Sequence, residues 1–108
     1  MTNLDVSSLT NISIPSEKIT QFCQRHHIQK LSFFGSVLRA DFSSDSDIDL
    51  LVEFDPEHIP GLISLSAMEQ ELSNILQRQV DLRTPEDLSH YFRQEVLDSA
   101  VIQYVDSR

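Results

Sequence analysis

Apolar and polar positions alternate through Asp47-Ile48-Asp49-Leu50-Leu51-Val52-Glu53-Phe54, placing Ile48, Leu50, Val52 and Phe54 on one face of a strand. Asp47 and Asp49 then share the other face, with Cα atoms about 6.5 to 7 Å apart. Upstream, Ile19, Phe22 and Cys23 mark a helix from about Ser16 to His26 with Ser16 as its N-cap, and Lys30 to Phe34 reads as the first strand. A helical turn from Ser36 to Arg39 and a Ser/Asp loop over 41–46 link the two strands. Pro56 to Gly61 breaks the chain, and Leu62, Leu65, Met68, Leu72, Ile75 and Leu76 then repeat with the period of a long amphipathic helix. That stripe is expected to be core. Gln79 to Leu82 reads as a further short strand, and Thr84-Pro85-Glu86-Asp87 as a helix start, with a further helix over Phe92 to Ser99. Ala100 to Val105 is apolar and fits a strand or a fraying helix end. The elements predict an α/β (α+β) fold, a small mixed sheet flanked by helices, preceded by an irregular arm over residues 1–15.

The chemistry concentrates where strands end. Gly35-Ser36 follows the first strand directly, and backbone amides at such a junction point at anions. The aspartates of Asp47-Ile48-Asp49 repel one another unless a cation lies between them, and a hard cation with oxygen ligands such as Mg²⁺ meets that need. Phosphoryl or nucleotidyl transfer with two metals calls for a third carboxylate, and Asp81 is the candidate. Taken alone, an Asp between two aliphatics is more often a plain exposed strand residue.

Gly35-Ser36-x-x-Arg39-x-Asp41 followed by Ser46-Asp47-Ile48-Asp49-Leu50-Leu51 resembles the signature of the polymerase-β-like nucleotidyltransferase superfamily. In a chain this short it is most similar to the minimal nucleotidyltransferase (MNT) family, antitoxins paired with HEPN-domain ribonuclease toxins. The resemblance runs from about Glu17 to Tyr104 and makes residues 16–108 a single nucleotidyltransferase domain. It implies ATP and Mg²⁺, metals bridged by Asp47 and Asp49 and completed by Asp81, and a triphosphate held by Gly35, Ser36 and Arg39. It also implies transfer of AMP to a tyrosine hydroxyl of the cognate HEPN toxin. The family commonly has Gly after the motif arginine, where this chain has Ala40.

Other readings of the aspartates fare worse. Asp45-Ser46-Asp47-Ile48-Asp49 copies the opening of a calcium loop, but Leu50 and Pro56 stand where that loop needs Gly and Glu. A phosphatase D-x-D would follow a buried apolar strand, whereas Ser43-Ser44-Asp45-Ser46 precedes this one. A solvated acidic strand end is the bland reading, and the adjacent Gly-Ser turn weighs against it.

Composition bounds the rest. At 108 residues, 40% hydrophobic and 23% charged, the chain can build one modest core. Eight Lys and Arg against 17 Asp and Glu give a net charge of -9, which argues against tracking nucleic acid and favours a basic protein partner. There is no apolar run long enough for a membrane span and no leader-like N-terminus, and the lone Cys23 fits a core thiol, so a cytoplasmic location is expected. The four histidines lack zinc spacing. Two alternatives stay open: a non-catalytic module that masks its toxin, and a small-molecule nucleotidyltransferase of the aminoglycoside-modifying type. The second would need a drug-sized pocket.

Overall fold

The computed structural model describes residues 14–38 and 47–106, and only the backbone of Ser36. Arg39, Ala40, Asp41, Ser46 and nearly all of the N-terminal arm lie outside the described residues. Helix α1 spans Ser16–Arg25, β1 Ile28–Phe34, β2 Ile48–Phe54, α2 Leu62–Leu76, β3 Val80–Arg83, α3 His90–Ser99 and β4 Val101–Val105. The four strands form one mixed sheet in the order β3-β2-β1-β4. The β1 strand is antiparallel to both neighbours, while β2 and β3 run parallel through the α2 crossover.

Helix α1 forms because Ile19, Phe22 and Cys23 fall on one face, with Glu17 in the first turn and Arg25 in the last complementing the helix dipole. Ser16 is its first residue and not its cap; Pro15 takes the cap position and no side chain caps the helix. The helix stops at His26, and His27 turns left-handed at φ 58° before β1 begins at Ile28, two residues earlier than the sequence suggested.

The core lies between one sheet face and helices α1 and α2. It contains Leu31 and Phe33 of β1, Ile48, Leu50 and Val52 of β2, Val80 and Leu82 of β3, and Met68, Leu72 and Leu76 of α2. Phe54 and Val101 pack against it half-buried. Cys23 is fully buried there, and that burial pushes its thiol pKa up to about 12.

Two expectations need correction. Leu62, which opens the apolar stripe of α2, is 83% exposed and contributes nothing to the core. The helix begins just after its cap residue Gly61, and of the stripe only Met68, Leu72 and Leu76 are buried, with Leu65 and Ile75 packed half-buried against the core. Thr84 to Asp87 does form a reciprocal capping box, but it closes a single 3-10 turn, Pro85–Asp87. Leu88 then becomes extended, and α3 starts afresh at His90, capped by the Ser89 hydroxyl that accepts from Tyr91 N–H. The apolar C-terminal run resolves as the edge strand β4, because pairing with β1 gives Val101 and Tyr104 a buried face.

Candidate active site

At the end of β1 the chain turns through the 3-10 segment Gly35–Leu38, held to the core by the fully buried Val37. Gly35 has φ +75°, and a Cβ built on it would lie 2.5 Å from Asp49 Oδ2 and 3.3 Å from its Cγ. Both constraints select glycine: the left-handed backbone, and a carboxylate occupying the space a side chain would need. The predicted junction and the second aspartate of the pair are therefore in direct contact.

Strand register explains why. Phe34 pairs with Asp49 across β1 and β2, and Asp49 pairs with Asp81 across β2 and β3. Neighbouring strands lie about 4.8 Å apart, so paired residues on one face are adjacent. Asp47 sits one residue before β2 and is exposed, while Asp49 and Asp81 are half-buried on the face away from the core. The order across the sheet is Gly35, Asp49, Asp81. The structure thus brings Gly35, Asp49 and Asp81 together, with Asp47 at the same strand end; Arg39 and the Ser36 side chain lie outside the described residues.

The side chains do not form a ready-made cage. Among the described residues no three His, Cys, Asp or Glu side chains are grouped closely enough to hold a metal ion. The Asp81 carboxylate instead accepts from Arg83 Nη2 at 3.1 Å. That hydrogen bond, with the negative charges of Asp81, Asp87 and Asp49, pushes the Arg83 pKa above its ordinary value. Such an arrangement suits Mg²⁺, which takes one or two carboxylates from protein and completes its octahedron with water and substrate phosphate oxygens.

Three further residues act around Asp81. Arg83 could have been found from the sequence, since two positions along a strand share a face. Glu69 and Ser73 could not. One turn apart on α2, they turn toward the edge strand β3, where Ser73 Oγ accepts from Val80 N–H at 3.0 Å and Glu69 Oε2 from Leu82 N–H at 2.8 Å. They satisfy the outward amides on either side of Asp81, as a fifth strand would.

Concave surface is distributed unevenly. A cavity of about 450 Å³, lined by Arg25, His26, His27, His58 and Glu71 among others, lies at the far end of β1, about 20 Å of strand from the carboxylates. There the His27 and His58 rings stack at 3.8 Å, and Asp55 N–H donates to His27 O. This larger hollow holds none of the aspartates, so the candidate site rests on strand register and the Gly35 contact and not on cavity size. A smaller cleft of about 200 Å³ borders Asp81.

A family model described as nucleotidyltransferase domain matches residues 16–103. Protein adenylyltransferase MntA of Thermococcus cleftensis is 33% identical over 78 residues, covering 72% of this chain and 77% of that protein. A crystal structure of a toxin-antitoxin with AMP-PNP superposes with a TM-score of 0.70 at 22% identity, covering 87% of this chain and 76% of the other. The tri-AMPylated Shewanella oneidensis HEPN toxin in complex with its MNT antitoxin contains a chain that superposes at 0.62 and 22% identity, over 84% of this chain and 70% of that one. At 22% identity these two likenesses are of fold.

Proposed function

The chain belongs to the nucleotidyltransferase domain family, and from that premise we propose that it is an antitoxin that transfers AMP from Mg-ATP to a tyrosine hydroxyl of a HEPN-domain toxin in the cytoplasm. The observation that carries this reading is the seat of Asp49, pressed against a left-handed Gly35 on one side and in register with Asp81 on the other. A phosphate held at the Gly35 turn would then lie one strand spacing from Asp49 and two from Asp81. The adenylyltransferase name of its archaeal relative and the AMPylated toxin bound to an MNT antitoxin support the choice of AMP and of a protein acceptor.

The Gly35 amide and the Ser36 hydroxyl hold the triphosphate, and Arg39 offsets its charge. Asp47 and Asp49, with Asp81 as the third carboxylate, would hold Mg²⁺, which would supply charge neutralisation on the phosphate oxygens. Asp81 orients the acceptor hydroxyl and takes its proton.

The test is the intact mass of the adjacent gene's product after incubation with this protein, ATP and Mg²⁺. One or more AMP increments are expected with the wild type and none with Asp47→Asn/Asp49→Asn, whose circular dichroism should be unchanged. Full neutralisation of the toxin in cells by that double variant would assign the protein to masking instead. Transfer to an aminoglycoside with no transfer to protein would make it a small-molecule enzyme.

A further inference from the structure

We propose that the cleft between β3 and the first turns of α2 is the acceptor subsite, and that Leu62 and Leu65 form the apolar wall that receives an aromatic ring. The proposal rests on the functional reading above. With the triphosphate at the Gly35 turn, pyrophosphate leaves on the β1 side of Asp49. In-line displacement then brings the attacking oxygen from the opposite side, past Asp81. On that side lies the cleft of about 200 Å³, walled by Leu62, Leu65, Ser66 and Glu69 from α2 and by Asp81, Leu82 and Arg83 from β3.

The wall chemistry selects among hydroxyls. Leu62 is 83% exposed and takes no part in the core, yet it lines the same hollow as Asp81. An apolar wall on one side, with the polar groups of Asp81, Glu69 and Ser66 on the other, fits a side chain with an apolar body and a polar tip, which describes tyrosine. A serine or threonine hydroxyl would reach Asp81 only by leaving the leucines uncovered. Arg83 lines the same hollow, and a planar guanidinium stacks well on an aromatic ring. The phenol also loses its proton with a pKa of about 10, within reach of a carboxylate base acting in concert with bond formation.

The step balances. The phenolic oxygen attacks the α-phosphorus of ATP and forms the new O–P bond, while its proton passes to Asp81. The bond from the α-phosphorus to the bridging oxygen breaks, and pyrophosphate departs with the electron pair.

Steady-state AMP transfer to the adjacent gene's product should be compared for wild type, Leu62→Ser and Ile63→Ser. Ile63 is the control: at 89% exposed it is as solvent-facing as Leu62 but does not line the cleft. Both substitutions are at the surface, so both proteins should fold. For Leu62→Ser, KM for the acceptor should rise at least tenfold, with KM for ATP within twofold of wild type. Ile63→Ser should stay within twofold on both. Equal losses in the two variants would make this turn a general docking face, and no loss in Leu62→Ser would place the acceptor elsewhere; either overturns the subsite and leaves AMP transfer standing. A wild type that binds ATP and transfers nothing to protein overturns both.

Discussion

Gly35 illustrates how much one residue can decide. Its φ of +75° would cost a side-chain-bearing residue about 1 kcal/mol, and a methyl group there would also sit 2.5 Å from Asp49 Oδ2. Since the carboxylate is the movable partner, Gly35→Ala is expected to lower stability by only about 1 to 2 kcal/mol. The same shift would push Asp49 off its position and reduce AMP transfer at least a hundredfold. Urea titration beside a transfer assay checks the contrast; a loss of activity no larger than the loss of folded protein would refute it. Asp81 shows the converse. Its own segment reads as that of an ordinary exposed strand residue, and the pairing with Asp49 is what sets it beside the other carboxylate.

Among the elements, β3 is the one whose place depends most on others. It is four residues long and lies at the sheet edge, yet it carries Asp81. Ser73 and Glu69 hold its outward amides. Removing either acceptor should cost about 1 kcal/mol. Ser73→Ala and Glu69→Ala are therefore expected to shift the urea midpoint down, while Glu69→Gln, whose amide oxygen can still accept from Leu82 N–H, should stay near wild type. If the Gln variant is as unstable as the Ala variant, the carboxylate's charge and not its hydrogen bond holds the strand. Helix α3 is anchored in a similar way at its start, where Arg93 donates to the carbonyls of Pro85 and Leu88 at 2.8 and 3.1 Å. Tyr91 and Phe92 remain exposed beside that anchor.

On the scale of the whole molecule, helices α1 and α2 are tied by Glu71, which accepts from Arg25 at 2.6 Å and lies 3.1 Å from His26 Nε2. Burial acts to raise the Glu71 pKa, but the hydrogen bonds and charges of Arg25 and His26 outweigh it, so the carboxyl sits below its ordinary 4.5. A depressed folded pKa means stability that is present above about pH 4.5 and is lost as pH falls through the lower folded value. The acid limb of the melting curve should accordingly be shallower in Glu71→Gln than in wild type between pH 5 and 3. The gap should be under about 1 kcal/mol because the pair is partly solvated. Parallel limbs would show that the tie contributes nothing. No helix among the described residues is long and apolar enough to cross a membrane.

The sequence by itself determined the features that repeat within a few residues: the buried set Ile48, Leu50 and Val52, the glycine at the strand end and the long α2. Local period and backbone preference are properties of neighbours along the chain, so they are readable there. Only the tertiary structure decided that Asp49 touches Gly35, that Asp81 stands beside it, that Glu69 reaches Leu82 and that Leu62 lines a cleft instead of the core. Each of those joins residues 13 or more positions apart, or turns on where a helix meets the sheet. Strand order and helix placement fix such contacts, and no short window of sequence contains them.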